Sequence, residues 1–167
     1  VPVLARPLAC ARPGRATRGR QGGGVQVPTD AVRRLTALGE VQGCALFHVM
    51  LALWALLLCR HAGQDEVVIG VPADGDARHA DMLALRIDVP RGASFAALLR
   101  AVGEVAAGAA AHAHFPFERC PDDVLPRRVH DASRRPVFQA SFKWGSARRL
   151  PSSAAECDIG FDGSAAA

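Results

Sequence analysis

The 167-residue sequence contains no tyrosine, and aromatic residues make up only 5% of it. Lysine is nearly absent: Lys143 is the single example, and every other basic residue is arginine. Arginine, alanine, glycine and proline share GC-rich codons, so this bias reads as genomic, with no mechanistic content. No C-x-x-C pair and no zinc-ligand spacing occurs among Cys10, Cys44, Cys59, Cys120 and Cys157, which excludes the common metal frameworks. An odd count of widely spaced cysteines predicts reduced thiols and a cytoplasmic protein. No acidic residue precedes Asp30, while Arg6, Arg12, Arg15, Arg18 and Arg20 all lie before it. Clustered arginine suits phosphate neutralisation, but no aromatic residue is interleaved for base stacking, and Gly22-Gly23-Gly24 follows at once. The segment reads as a solvated lead-in over 1–27, and no nucleic-acid partner is expected.

Long apolar runs are missing too. Met50 to Cys59 is continuously apolar, but it is half of the ~20 residues a membrane span requires, and Arg60 and His61 end it. The opening residues carry no signal-peptide pattern. No membrane partner is expected. The sequence also lacks a Gly-rich phosphate loop between strand and helix, and it has no G-x-S-x-G nucleophile elbow.

What is present suffices for a core. Half of the residues are hydrophobic and 22% are charged, a composition that folds. Pro28-Thr29-Asp30 predicts a helix start, with Thr29 or Asp30 capping, and an apolar stripe of Val32, Leu35 and Leu38 that ends near Gly39. A second helix is predicted from about Ala45 to His61, apolar almost all round and therefore packed on several sides. Gly63-Gln64-Asp65 breaks it. Val67-Val68-Ile69-Gly70-Val71 is β-branched with no polar face, as a strand covered on both sides should be. After a polar loop, Met82 to Val89 reads as another strand. Ser94 then caps a helix through about Ala113, with Phe95, Leu98, Leu99, Val102 and Val105 on its apolar face. Pro116 stops that helix, and Pro121 and Pro126 bracket a turn. Phe138, Ala140, Phe142 and Trp144 alternate with Gln139, Ser141 and Lys143, which predicts a strand with one wet face. Residues 145–167 read as a poorly ordered tail. The layout is α/β: one lobe over 28–144, with a sheet covered by helices.

Three stretches of this lobe, in order, resemble the nonribosomal peptide synthetase condensation family. Leu46 to Leu58, followed by Gly63-Gln64-Asp65 and Glu66 to Pro72, is similar to the family's core helix, turn and strand. His112-Ala113-His114-Phe115-Pro116-Phe117-Glu118 resembles His-Gln-Asp-(Tyr or Leu)-Pro-Phe-Glu, with His112, Pro116, Phe117 and Glu118 matching. Asp131-Ala132-Ser133-Arg134-Arg135-Pro136-Val137-Phe138-Gln139 resembles Asp-x-Ser-Arg-Asn-Pro-Leu-Phe-Gln, with Asp131, Ser133, Arg134 and Pro136 matching.

The resemblance implies the C-terminal lobe of a chloramphenicol acetyltransferase-like two-lobe sandwich, with a mixed sheet. It implies amide formation between thioesters held on the phosphopantetheine arms of carrier proteins, with no cofactor bound directly. The partners it implies are the N-terminal lobe of the same condensation domain and peptidyl or acyl carrier proteins. The family's catalytic His-His-x-x-x-Asp-Gly belongs to that N-terminal lobe and does not occur in this sequence. His61-Ala62-Gly63-Gln64-Asp65-Glu66 is the nearest string, and it occupies the helix-to-strand turn. The expectation is therefore no catalytic, cofactor or metal residue in this chain.

The eight matching motif positions are expected to be structural or to line the channel. His112 and His114 have no Cys or carboxylate completing a metal site, and Asp131 and Ser133 suit local turn bonds. The family's Gly-x-Phe-Val-Asn-Thr segment is absent before Met82, Arg135 stands where the family prefers Asn, and His130 stands where it prefers Arg. Two other readings stay open: a lobe of a related epimerisation or ester-forming acyltransferase domain, and a non-catalytic remnant or carrier-docking module.

Overall fold

The computed structural model describes residue 25 and residues 27–73, 82–113 and 137–144. The expectations for the lead-in before residue 25, the loop over 74–81, the prolines at 116, 121 and 126, and the tail lie outside these residues.

Helix α1 spans Thr29–Val41, and α2 spans Leu46–Ala62. The predicted start of α1 is right, but neither Thr29 nor Asp30 caps it. Pro28 holds the cap position with no side-chain bond, and its carbonyl accepts from the Val32 N–H at 3.1 Å. Proline's fixed φ already suits a helix entry. The helix ends at Val41, near Gly39 as expected, and Gly39 has a further role in packing. It is the buried point of closest approach to α2, where an added Cβ would meet the Cys44 carbonyl oxygen at 2.5 Å and Val49 Cγ2 at 3.0 Å. The left-handed residue in the following turn is Gly43, at φ 67°. Leu38, expected on the buried stripe, is exposed, and α1 docks through Leu35 and Gly39.

The apolar character of α2 is explained by its neighbours, since Val49, Leu51, Ala52, Trp54, Ala55, Leu58 and Cys59 are all buried. No single helix among the described residues is long and apolar enough to cross a membrane. The α1–α2 pair reaches that length only across a 102° bend. Gly63, left-handed at φ 66°, closes α2, and the Cys59 carbonyl accepts from the N–H groups of Gly63 and Gln64.

Strand β1 covers Glu66–Pro72 and β2 covers Met82–Asp88. The two are antiparallel, with Val67 opposite Ile87, Ile69 opposite Leu85 and Val71 opposite Leu83. Helix α3 runs over Phe95–Ala111, capped as expected by Ser94, whose Oγ accepts from the Ala97 N–H at 3.2 Å. The last strand is shorter than the alternation predicts: β3 is Ala140–Ser141 only, pairing in parallel with β1 at Ile69–Ala140 and Gly70–Ser141. The strand order β2-β1-β3 makes the sheet mixed and puts β1 in its centre, which is why β1 carries almost no polar residue.

Side chains alternate across a strand, so Val67, Ile69 and Val71 share one face with Leu83, Leu85 and Ile87. That face meets α2 and α3 in the main core, joined by Ala140 and Phe142. Phe138 breaks the expected pattern. The chain bends at Gln139, and the Phe138 ring lies on the opposite face, over Gly70. An added Cβ there would come within 2.6 Å of the Phe138 Cδ2 and Cζ atoms. Phe138, Phe142 and Trp144 therefore do not share one strand face, although Phe138 and Phe142 are both buried.

Candidate functional site

Of the eight motif positions, only His112 lies among the described residues. It is the C-cap of α3, exposed, with its backbone N–H donating to the Ala109 carbonyl at 3.1 Å. Pro116, Phe117, Glu118, Asp131, Ser133, Arg134 and Pro136 lie outside the described residues, as does His114. Their expected scaffold or channel-lining role is thus not tested by the geometry.

The string at His61–Glu66 is described, and its side chains are engaged in architecture. His61 is exposed in the last turn of α2. The Asp65 carboxylate accepts from Arg91 Nε at 3.0 Å, and the same guanidinium lies 3.4 Å from the Gly63 carbonyl. The Asp65 carbonyl accepts from the Val89 N–H at 2.7 Å, and Glu66 accepts from Arg86 Nε at 2.8 Å. This corner ties the end of α2 to both strands. Both ion pairs involve exposed groups, so each holds geometry at small energetic gain.

Cys59, in the last turn but one of α2, is buried and free. Its thiol is pushed up to about 11, first by burial, then by the carboxylates of Asp65, Glu66 and Asp88. A thiol so held stays protonated at neutral pH and is a poor nucleophile. No cluster of His, Cys, Asp and Glu among the described residues could hold a metal ion.

The candidate site is instead a cleft of about 600 Å³ between the α1–α2 turn, the far ends of β1 and β2, and α3. Its walls include Cys44, Phe47, His48, Pro72, Arg100 and Glu104. Small residues make the room: Gly103 and Ala107 of α3 face it, and a Cβ on Gly103 would sit 3.3 Å from the Cys44 sulfur. The Cys44 thiol also lies 3.8 Å from the Leu99 carbonyl oxygen, tying the turn to α3. His48 Nδ1 is buried and has no hydrogen-bond partner among the described residues. The Phe47 ring meets the His48 ring edge-on at 5.1 Å. On its other side Phe47 packs on Phe142 at 5.6 Å, and Phe142 stacks with Trp144 at 6.4 Å. One aromatic row thus runs from the cleft to Trp144, just past the third motif stretch.

The cleft could hold an apolar group; the thiol in its described wall, Cys44, donates to the Gln42 and Leu99 carbonyl oxygens at 3.6 and 3.8 Å, so the described walls are suited to binding and positioning. Sequence reasoning missed it. The one available signal was His48, the only polar side chain between Ala45 and Cys59 in an otherwise apolar helix.

Comparison with known proteins agrees with this architecture. The family model described as "Condensation domain" matches residues 15–154. Tyrocidine synthase 3 of Brevibacillus parabrevis is 33% identical over 138 residues, 77% of this chain and 2% of that protein. Malpibaldin synthetase of Mortierella alpina is 33% identical over 129 residues, 72% of this chain and 2% of that protein. The chain therefore spans only a few per cent of the length of these relatives.

Among solved structures, the X-domain from teicoplanin biosynthesis has a TM-score of 0.71 at 25% identity, covering 81% of this chain and 32% of that one. The condensation domain of the Monacolin K polyketide synthase has a TM-score of 0.68 at 21% identity, covering 93% and 40%. A four-domain nonribosomal peptide synthetase bound to AMP and glycine reaches 0.78 at 21% identity, covering 87% and 12%. The last two likenesses carry the fold alone, which is the chloramphenicol acetyltransferase-like α/β lobe.

Proposed function

Because the chain belongs to the condensation-domain family, its match spanning residues 15–154, we propose that it is the C-terminal lobe of an amide-forming condensation enzyme. The observation that carries this reading is the parallel pairing of β3 on β1 at Ile69–Ala140. It brings Ala140 and Ser141, which directly follow the third stretch of family resemblance, into one sheet with the strand of the first.

The reaction proposed for the complete enzyme joins two substrates on phosphopantetheine arms of carrier proteins. The acceptor amine attacks the donor thioester carbonyl, a C–N bond forms, the C–S bond breaks, and the amine proton ends on the departing thiol. The proton is handled by a histidine of a sister lobe carrying His-His-x-x-x-Asp-Gly, a ring suited to transfer near neutrality. This chain supplies one wall of the substrate channel. His112, Pro116, Phe117, Glu118, Asp131, Ser133, Arg134 and Pro136 are proposed to shape that wall and to take no part in bond making.

The test pairs this chain with a lobe that carries the histidine motif and with loaded carrier proteins, following product by mass spectrometry. Amide product is expected only when both lobes are present, and it should vanish when the second motif histidine becomes alanine. Product from this chain alone would overturn the assignment. Product with a hydroxyl acceptor but not an amine would point to an ester-forming relative, and inversion of the donor α-carbon to an epimerisation domain. A second reading, a non-catalytic remnant or carrier-docking module, is favoured by the absence of the family's Gly-x-Phe-Val-Asn-Thr segment before Met82. It predicts binding to a partner protein with no condensed product under any pairing.

A further inference from the structure

No further inference is drawn: the strongest candidate, the half-open cleft at the start of α2 with the unpartnered Nδ1 of His48 in its wall, is bordered by Ala73 and by the end of α3, where the described residues stop, so nothing in the structure shows what covers it.

Discussion

On one face of β1, Val67, Ile69 and Val71 sink among the side chains of α2 and α3. On the other, among the described residues, one aromatic ring, Phe138, lies over a glycine. The first face is a continuous core, with Ile69, Leu99, Val102 and Phe142 wholly enclosed. The second carries Val68, Ala84 and Met82, each only partly covered, beside the exposed Arg86. Among the described residues the helix-covered face buries more apolar side chains, each stabilising in proportion to the surface it removes from water. Among the same residues, the reverse face gains its shape from one close contact, Phe138 on Gly70. The two faces of one sheet thus differ in how the described residues pack them: one by many interlocking side chains, the other by a single close ring contact.

The largest expected effect lies on the helix face. Phe142→Ala should cost about 3–5 kcal/mol, from lost burial plus the cavity left beside Phe47 and Trp144, read as a shift of the denaturant midpoint. A loss below about 1 kcal/mol would mean that this ring is not part of the main core.

On the reverse face, Gly70→Ala should cost about 1–3 kcal/mol, since the new methyl group must displace the Phe138 ring. The cost should shrink in a Phe138→Ala background, a coupling that a double-mutant cycle reads directly. Equal costs in both backgrounds would separate Phe138 from Gly70 and remove the contrast between the faces.

A smaller effect concerns pH. The Cys59 thiol rises from 9.0 to about 11 on folding, so the folded state favours the protonated form. Its contribution is complete below pH 9 and is lost as pH climbs through about 11, because over that window the unfolded chain binds fewer protons. Stability should therefore decline across this alkaline range. Cys59→Ala should flatten the decline, and an unchanged slope would show that another group causes it. The absence of tyrosine and the single lysine leave few competing titrations.

The smallest effect is expected for Lys143→Ala. This side chain is exposed, although in sequence it stands between the buried Phe142 and the half-buried Trp144. The substitution should change stability by no more than about half a kcal/mol. If it proved more damaging than Phe142→Ala, the segment would have the opposite register.

By itself the sequence determined the elements whose cause is local. The all-round apolar run of α2, the left-handed glycine that ends it and the Ser94 cap all follow from side-chain chemistry within a few residues. The β-branched core of β1 followed from its composition, and the alternation around Phe142 placed Ala140 and Phe142 inward and Lys143 outward. The family, too, was legible, since three ordered stretches carry it.

Only the tertiary structure decided the rest. Gly39 stands near the helix end that the sequence predicts, but it is also a contact point with the start of α2, and no local pattern announces which helix will cross it. Phe138 belongs to the same alternation as Phe142, yet a bend at Gln139 sends it to the other face, where Gly70 leaves room. The cleft beside His48 is formed by residues drawn from two helices and two strands, and its volume exists only once they are packed. Local propensity acts over one turn or one strand, whereas these three features depend on how separate elements pack against one another.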